Sequence, residues 1–154
     1  MLYPFVKKKG CNITMKKIKS AVFLVLCFAM LISVYACSDP IEGSWDTATY
    51  LEDKEFGEGA KTVVVEVKAG EKSVVFTIHT DKETLGEALI EHSLLEGEDG
   101  PYGLYVKKVN GITADADKDK TYWALYKDGE YSLTGVDMTP IADGERYELV
   151  REKF

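Results

Sequence analysis

The chain from residue 61 onward opens with apolar residues at every second position. Valines occupy positions 63, 65 and 67, and Val74, Phe76 and Ile78 repeat the alternation after a polar segment at 68–72. A period of two is typical of a half-buried β-strand, and a short polar segment between two such runs is typical of a turn. The pattern predicts a β-hairpin with one strongly apolar face.

A single helix is predicted after this hairpin. Apolar residues recur at helical spacing from Leu85 to His92. Thr84 and Glu87 have the spacing of a capping box, which would begin the helix there. Thr80 and Glu83 have the same spacing, so a start one turn earlier is the alternative.

Three or four further strands are predicted downstream. A loop is expected from Gly97 to Gly103, and Asn-Gly and Asp-Gly pairs mark the turns. The strand-like runs are 104–109, 122–126, 130–133 and 147–150. A hairpin, a helix and then strands indicate an α+β fold, and we predict a β-grasp (ubiquitin-like) mixed sheet with one helix packed on one face. Its first and last strands should be parallel neighbours.

The N-terminal segment differs chemically from this domain. Six of the 19 basic residues and none of the 26 acidic residues lie in 1–36, which leaves a net charge of −13 for 37–154. A lysine cluster at 16–19 precedes an almost wholly apolar run from Ala21 to Ala36. A basic cluster, a short apolar run and a final small residue are typical of a secretory signal peptide. Met15, directly before the cluster, is an alternative start.

Cys37 directly follows Ala36 and resembles the lipobox cysteine of bacterial lipoproteins. In that family the cysteine carries a diacylglycerol thioether and becomes the acylated N-terminus after cleavage. The resemblance implies a protein anchored to the cell membrane by lipid at Cys37 and facing outside the cytoplasm. The alternative is a plain signal-anchor helix with an incidental cysteine. We therefore divide the chain into a signal peptide at 1–36, the lipidated cysteine with a flexible acidic tether at 37–60, and a folded domain at 61–154. Docking of part of the tether by its aromatic residues is the alternative.

Composition and motifs exclude several classes of function. A domain this acidic is repelled by phosphate, which argues against a nucleic-acid partner. Cys11 and Cys27 lie in the segment to be removed, so the folded domain has no thiol for a disulfide, a metal site or a nucleophile. No Gly-x-Ser-x-Gly elbow and no glycine-rich phosphate loop occur. His79 and His92 lie on different predicted elements, without an acidic motif nearby. We expect no enzyme activity, no resident metal and no cofactor.

Asp115, Asp117 and Asp119 have the opening spacing of a calcium-binding loop. The full loop also needs glycine at its sixth position and glutamate at its twelfth. Lys120 and Tyr126 occupy those positions here. We interpret the segment as a solvated loop, with a weak calcium site as the alternative.

Aromatic residues concentrate on the predicted strand at 122–126. Tyr122 and Tyr126 point to one face and Trp123 to the other, and Tyr105 lies on a strand expected nearby. Exposed aromatic surface on a rigid sheet is a platform for a flat organic ligand or a protein partner. The alternative is that Trp123 fills the core and the tyrosines pack as cross-strand pairs.

Several of these segments together resemble one family. They are Gly103–Val106, Asn110-Gly111, Thr121–Tyr126, Asp128–Glu130, Gly135-Val136 and Asp143–Tyr147, in that order. They resemble the small β domain that ends the vitamin B12 carriers transcobalamin and intrinsic factor, and the same domain in exported bacterial lipoproteins, catalogued there as a domain of unknown function. The resemblance covers about Thr62 to Arg151. The helical barrel that holds the other side of cobalamin in the carriers has no counterpart in this sequence.

The resemblance implies a ligand-binding role. Tyr122 and Trp123 match the Tyr-Trp pair of the family, and Asn110 matches its turn asparagine. With Tyr105 and Tyr126 they form the predicted ligand-binding set. We expect a membrane-anchored lipoprotein that binds or presents a small molecule, with cobalamin or another corrinoid as the implied ligand and a vitamin-uptake transporter as the implied partner. The alternative is a cell-envelope protein-interaction or adhesion module without a small ligand.

Overall fold

Two β-sheets and one α-helix make up the part of the chain that the computed structural model describes, residues 44–101 and 103–154. The strands are β1 (Lys54–Gly57), β2 (Lys61–Ala69), β3 (Lys72–Thr80), β4 (Leu95–Gly100), β5 (Gly103–Val109), β6 (Ile112–Thr113), β7 (Thr121–Lys127), β8 (Glu130–Tyr131) and β9 (Arg146–Lys153). The helix α1 spans Leu85–Glu91, and short 3-10 helices span Ser44–Thr47 and Val136–Met138. The predicted signal peptide and Cys37 lie outside the described residues.

The larger sheet has six strands in the order β1-β3-β2-β9-β7-β8, and the smaller sheet has three in the order β4-β5-β6. β2 and β3 are antiparallel along their whole length, which confirms the predicted hairpin. β2 also pairs in parallel with β9, which confirms the predicted pairing of the first hairpin strand with the last strand. A mixed sheet with one helix confirms the α+β class.

The hydrophobic core lies between the larger sheet and a layer formed by α1 and the smaller sheet. Val65 and Phe76 of the hairpin are fully buried in it. Leu89 of α1 and Val109 of β5 belong to the same cluster. Full burial of one large apolar side chain contributes about 1.5–3 kcal/mol. Both covering elements lie on one face of the larger sheet, and the outward residues of β2 and β3 remain half-buried or exposed.

The helix α1 begins at Thr84. The backbone N–H of Glu87 donates to Thr84 Oγ1 at 3.3 Å, and the backbone N–H of Thr84 donates to Glu87 Oε2 at 3.3 Å. This capping box confirms the prediction made for Thr84, and the alternative start at Thr80 is not used. Gly86 costs about 1 kcal/mol of helix propensity relative to alanine. It permits close packing, because a Cβ there would lie 3.0 Å from the Cα of Asp137.

Two predictions about the middle of the chain are wrong. The segment Gly97–Gly103 is not wholly a loop, because its first residues belong to β4, which pairs with β5. The sheet is also not single, since β5 pairs with β4 and β6 and not with the larger sheet. The sequence Leu95–Gly100 is acidic and rich in glycine, and after Leu95 its side chains are exposed. Backbone hydrogen bonds to β5 form this edge strand, and these leave no apolar pattern in the sequence.

The prediction of a flexible tether over 37–60 is wrong for residues 44–60. β1 pairs in parallel with β3 at the edge of the larger sheet. Trp45 Nε1 donates to the carbonyl of Ala69 at 2.8 Å. The ring of Phe56 lies 5.8 Å from that of Phe76. The aromatic side chains of this segment pack against the sheet, and their burial outweighs its polar composition. No helix among the described residues is long and apolar enough to cross a bilayer.

Candidate functional site

A cleft lies along the open edge of β7. β8 pairs with β7 only at Tyr126 and Lys127. Among the described residues, no strand is therefore hydrogen-bonded to Thr121–Leu125 on that side. The cleft has a volume of about 210 Å³ and is closed by β5 and by the segment 131–136. Its apolar lining residues include Leu104, Val106, Leu125, Leu133, Val136 and Leu149. Tyrosine, serine and threonine residues complete the lining, so the site is a small groove of mixed polar and apolar character with a backbone edge along one wall.

Trp123 is the residue of the predicted set that joins the core to this cleft. It is 8% exposed, and it lines the cleft. Its Nε1 is buried and has no hydrogen-bond partner among the described residues. A buried donor left unpaired costs about 1–3 kcal/mol. The indole N–H is thus an unpaired polar group beneath the cleft, and a bound molecule would supply an acceptor only after a movement of the lining side chains.

The backbone of β7 offers a second polar feature. Ser132 N donates to the carbonyl of Leu125 at 2.8 Å across this edge. Backbone groups of an antiparallel strand point to alternate sides, two residues apart. The N–H and C=O of Trp123 therefore point toward the open edge.

The rim of the cleft is aromatic and exposed. Tyr105 is 40% exposed, Tyr131 is 52% exposed and Leu133 is 95% exposed. Lys107 Nζ lies 4.7 Å above the centre of the Tyr105 ring. The sequence predicts Tyr105 as a site residue but Leu133 only as part of a strand at 130–133. β8 ends at Tyr131, so Leu133 lies beyond the strand and borders the cleft.

Tyr122 and Tyr126 direct their hydroxyl groups to the opposite face of the larger sheet. Tyr122 donates to Glu152 Oε2 at 2.8 Å, and Tyr126 donates to Glu152 Oε1 at 2.7 Å. The hydrogen bond to Glu152, with burial and the negative charge, raises the pKa of Tyr122 to about 12. The same hydrogen bond raises the pKa of Tyr126. Tyr122 also borders the cleft, but the two tyrosine hydroxyls and Trp123 do not form one site.

Asn110 has a different role from the predicted one. Its side chain is fully buried, and its amide exchanges two hydrogen bonds with the backbone of Tyr50. These contacts occupy the polar atoms that a ligand would need. The structure therefore places Asn110 in a structural turn, away from the cleft lining.

A second cavity, of about 420 Å³, brings together the two histidines that the sequence places on different elements. His79 and His92 both line it, with Lys82 and Glu91. His79 bonds to Thr62 and Glu55, whereas His92 Nε2 is buried without a partner among the described residues. In the part of the chain that the structure describes, no three or more His, Cys, Asp or Glu side chains come together in a group able to hold a metal ion.

Two of the three aspartates of the calcium-like spacing, Asp115 and Asp119, accept hydrogen bonds from protein donors. Asp115 Oδ1 accepts from the backbone of Asp117 and Lys118. Asp119 accepts from Thr121 and forms an ion pair with Arg151. Hydrogen bonds from Lys118 lower the pKa of Asp115. Backbone donors and cations satisfy these carboxylates within the loop.

An α+β domain with a cleft at a sheet edge is the class that this geometry defines. Residues 82–149 match the family described as Domain of unknown function (DUF4430). One similar solved structure is the crystal structure of a protein from Ruminococcus gnavus, described as a candidate metal-binding protein. Its sequence is 38% identical, the match covers 61% of this chain and 98% of that chain, and the TM-score is 0.59. The chain belongs to the DUF4430 family. No curated protein matches the sequence.

Haptocorrin, solved in complex with Cbi, is a more distant structural relative. It is 18% identical with a TM-score of 0.54, and the match covers 64% of this chain and 27% of the haptocorrin chain. At this identity the similarity shows a shared fold alone. The predicted resemblance to the transcobalamin-type β domain is confirmed at that level.

Proposed function

We propose that this protein binds one side of a small organic molecule in the cleft beside β7 and presents it at the cell surface for uptake. The observation that carries the proposal is Trp123, which lines a cleft with an exposed aromatic rim and whose buried indole N–H has no partner among the described residues. Ligand sites in proteins are typically apolar clefts with a few polar groups that fix orientation.

The fold supports this proposal. We propose that the domain is a β-grasp fold with the smaller sheet inserted between α1 and β7. The hairpin, the single helix and the central parallel pair of β2 and β9 all occur in that arrangement. The insertion brings β5 against the open edge of β7, and these two strands form opposite walls of the cleft.

A corrinoid is the ligand class that we favour. The cleft volume of about 210 Å³ is below the roughly 300–1,000 Å³ of sites that enclose a whole ligand. The cleft would therefore take the edge of a larger, flat molecule, and a second surface would cover the remainder. Haptocorrin in complex with Cbi shares the fold, which supports this class.

The location follows from the N-terminal segment. We propose an extracytoplasmic lipoprotein attached to the membrane through Cys37, with a vitamin-uptake transporter as its partner, no enzymatic activity and no resident cofactor. Mass spectrometry of the protein from the native membrane tests the anchor. A diacylglycerol adduct on an N-terminal Cys37 is expected, and a Cys37→Ser variant should lose the adduct and leave the membrane. An unmodified Cys37 would contradict the anchor without affecting the cleft.

Titration with cobalamin and with cobinamide tests the ligand. The chain has 2 tryptophans, and in a Trp45→Phe variant the remaining one is Trp123. Saturable quenching of its fluorescence then reports binding in the cleft, and calorimetry measures the affinity. We expect Leu133→Ala and Tyr105→Ala to weaken binding several-fold. Leu51→Ala, which truncates another exposed leucine, is the matched control. Absence of both heat and saturable quenching at millimolar corrinoid would exclude this ligand class.

A further inference from the structure

The outer face of the larger sheet carries a row of four aromatic rings, which we call the aromatic strip. Its members are Tyr122, Tyr126, Tyr131 and Phe154. The rings of Tyr122 and Phe154 are stacked with centroids 4.9 Å apart. The rings of Tyr126 and Tyr131 meet edge to face at 5.5 Å and 86°. Tyr131 and Phe154 at the two ends are more than half exposed.

Glu152 lies at the centre of the aromatic strip without a counter-charge. Each of its carboxylate oxygens accepts one tyrosine hydroxyl, from Tyr122 and from Tyr126. No ion pair among the described residues includes Glu152, whereas its neighbour Glu148 is paired with Lys68. A carboxylate has about four acceptor positions, so roughly two remain for another donor. The strip therefore holds a fixed, unneutralised negative charge between aromatic rings.

We propose that the aromatic strip binds an arginine side chain on an extended segment of a partner protein. A guanidinium stacks on tyrosine rings and donates two parallel hydrogen bonds to a carboxylate, and an ammonium cannot combine both. The Cα atoms of Tyr122 and Tyr126 lie about 14 Å apart along one strand, and their hydroxyl groups converge on the carboxylate of Glu152. Phe154 and Tyr131 extend the row of rings beyond them. An elongated strip fits an extended chain better than a compact ligand.

The charge of the domain favours the same partner. The segment 37–154 carries a net charge of −13, which attracts a basic segment and increases its rate of encounter. Tyr122 and Tyr131 also line the cleft, but Tyr126 and Glu152 do not, so the charged centre of the strip lies outside the proposed ligand site.

Fluorescence anisotropy with the full chain tests the proposal. The probes are labelled Gly/Ser peptides that carry three arginines, three lysines or three citrullines in the same positions. We expect the arginine peptide to bind at least fivefold more tightly than the lysine peptide, and the citrulline peptide to bind far more weakly. Equal binding of the arginine and lysine peptides would overturn the proposal, and so would no binding of the arginine peptide.

Two variants locate the site. Glu152→Gln keeps the shape and removes the charge, and should weaken the arginine peptide at least tenfold. Glu58→Gln makes the same change of charge in the segment between β1 and β2, at the opposite end of β2 from Ala69, which is paired with Arg151, and should change binding less than twofold. Equal losses in the two variants would mean nonspecific attraction and would refute the site. Tyr131→Ala, at an exposed position, should weaken the peptide several-fold without unfolding the sheet, and an unchanged affinity would also count against the strip.

Discussion

The side-chain amide of Asn110 holds the backbone of Tyr50 by two hydrogen bonds. Its Oδ1 accepts from Tyr50 N at 2.9 Å, and its Nδ2 donates to Tyr50 O at 2.8 Å. The backbone adds a third bond, from Thr49 N to Asn110 O at 2.8 Å. Asn110 also has a φ of 50°, in the left-handed region that asparagine tolerates better than most residues. One residue therefore forms the turn between β5 and β6 and fastens the N-terminal segment to it.

Replacement of Asn110 by alanine should destabilise the protein by about 2–4 kcal/mol, since buried backbone groups lose partners and a left-handed φ becomes strained. Urea denaturation measures the loss. Asn110→Gly keeps the φ and removes only the amide, so it should lose less. An alanine variant as stable as the wild type would contradict the structural role.

Stability should fall in acid through Glu145. Burial alone would raise the pKa of Glu145, but hydrogen bonds from Lys127 and Tyr147 lower it to about 2 from 4.5. Because the folded-state pKa is the lower one, the stabilisation is present above pH 4.5 and is lost as the pH falls toward 2. The contribution is about 2 kcal/mol after screening. The urea midpoint of the wild type should fall with the pH across this range, and in Glu145→Gln it should depend less on pH. An unchanged slope would assign the acid sensitivity to other carboxylates.

The ionisation of Tyr122 should report its contact with Glu152. Ultraviolet titration should find a late transition that includes Tyr122, with a pKa of about 12, together with the raised Tyr126 and Tyr147. Tyr122→Phe should remove the part of that transition at a pKa of about 12. In Glu152→Gln the pKa should move back toward 10, because the acceptor loses its charge. Glu130→Gln, on the neighbouring strand, is the control. A transition that does not move in Glu152→Gln would show that burial, and not the hydrogen bond, raises the pKa.

The ion pair between Asp119 and Arg151 should be important for stability. Arg151 is 7% exposed and also donates from Nε to the carbonyl of Thr113 at 2.9 Å. Asp119→Ala removes a carboxylate partner of a nearly buried cation and should lower the free energy of unfolding by about 2–4 kcal/mol. We expect the lower end of this range, because Asp119 is partly exposed. Thermal unfolding measures the loss. Asp117→Ala, in the same loop, should have little effect, and equal losses in both variants would refute this assignment.

Calcium should leave the melting temperature unchanged. Thr121 and Arg151 use the oxygens of Asp119, and Lys118 pairs with Asp115, so a cation would have to displace existing partners. Differential scanning calorimetry with millimolar calcium, with magnesium as the comparison, provides the measurement. A rise in melting temperature specific to calcium and abolished in Asp115→Asn would establish the alternative that the spacing leaves open.

The sequence predicts best the elements whose side chains alternate in burial. The hairpin of β2 and β3, the capping box at Thr84 and the opposite faces of Trp123 and Tyr126 follow from local periodicity and hydrogen bonding. β4 is different, because an exposed edge strand is held by backbone bonds and leaves no apolar pattern. The prediction of a flexible tether is wrong for 44–60 for a related reason, because a few aromatic side chains fix the position of this segment and its overall composition is polar.

The candidate sites divide in the same way. The sequence identifies Tyr122, Trp123 and Tyr126 as notable because aromatic residues crowd one strand. It does not show that Glu152 lies between the two tyrosine hydroxyls, because that contact joins side chains 30 and 26 residues apart. The open edge of β7 likewise depends on the length of β8, which pairing determines.

By itself, the sequence determined the α+β class, the family resemblance, the acidic charge and the strand that carries the aromatics, because these depend on local pattern and composition. The tertiary structure alone decided that Asn110 fastens the N-terminal segment, that a cleft opens beside Trp123 and that Glu152 is unneutralised. These properties depend on which distant residues come within a few ångströms of one another, and a short-range pattern carries no record of such distances.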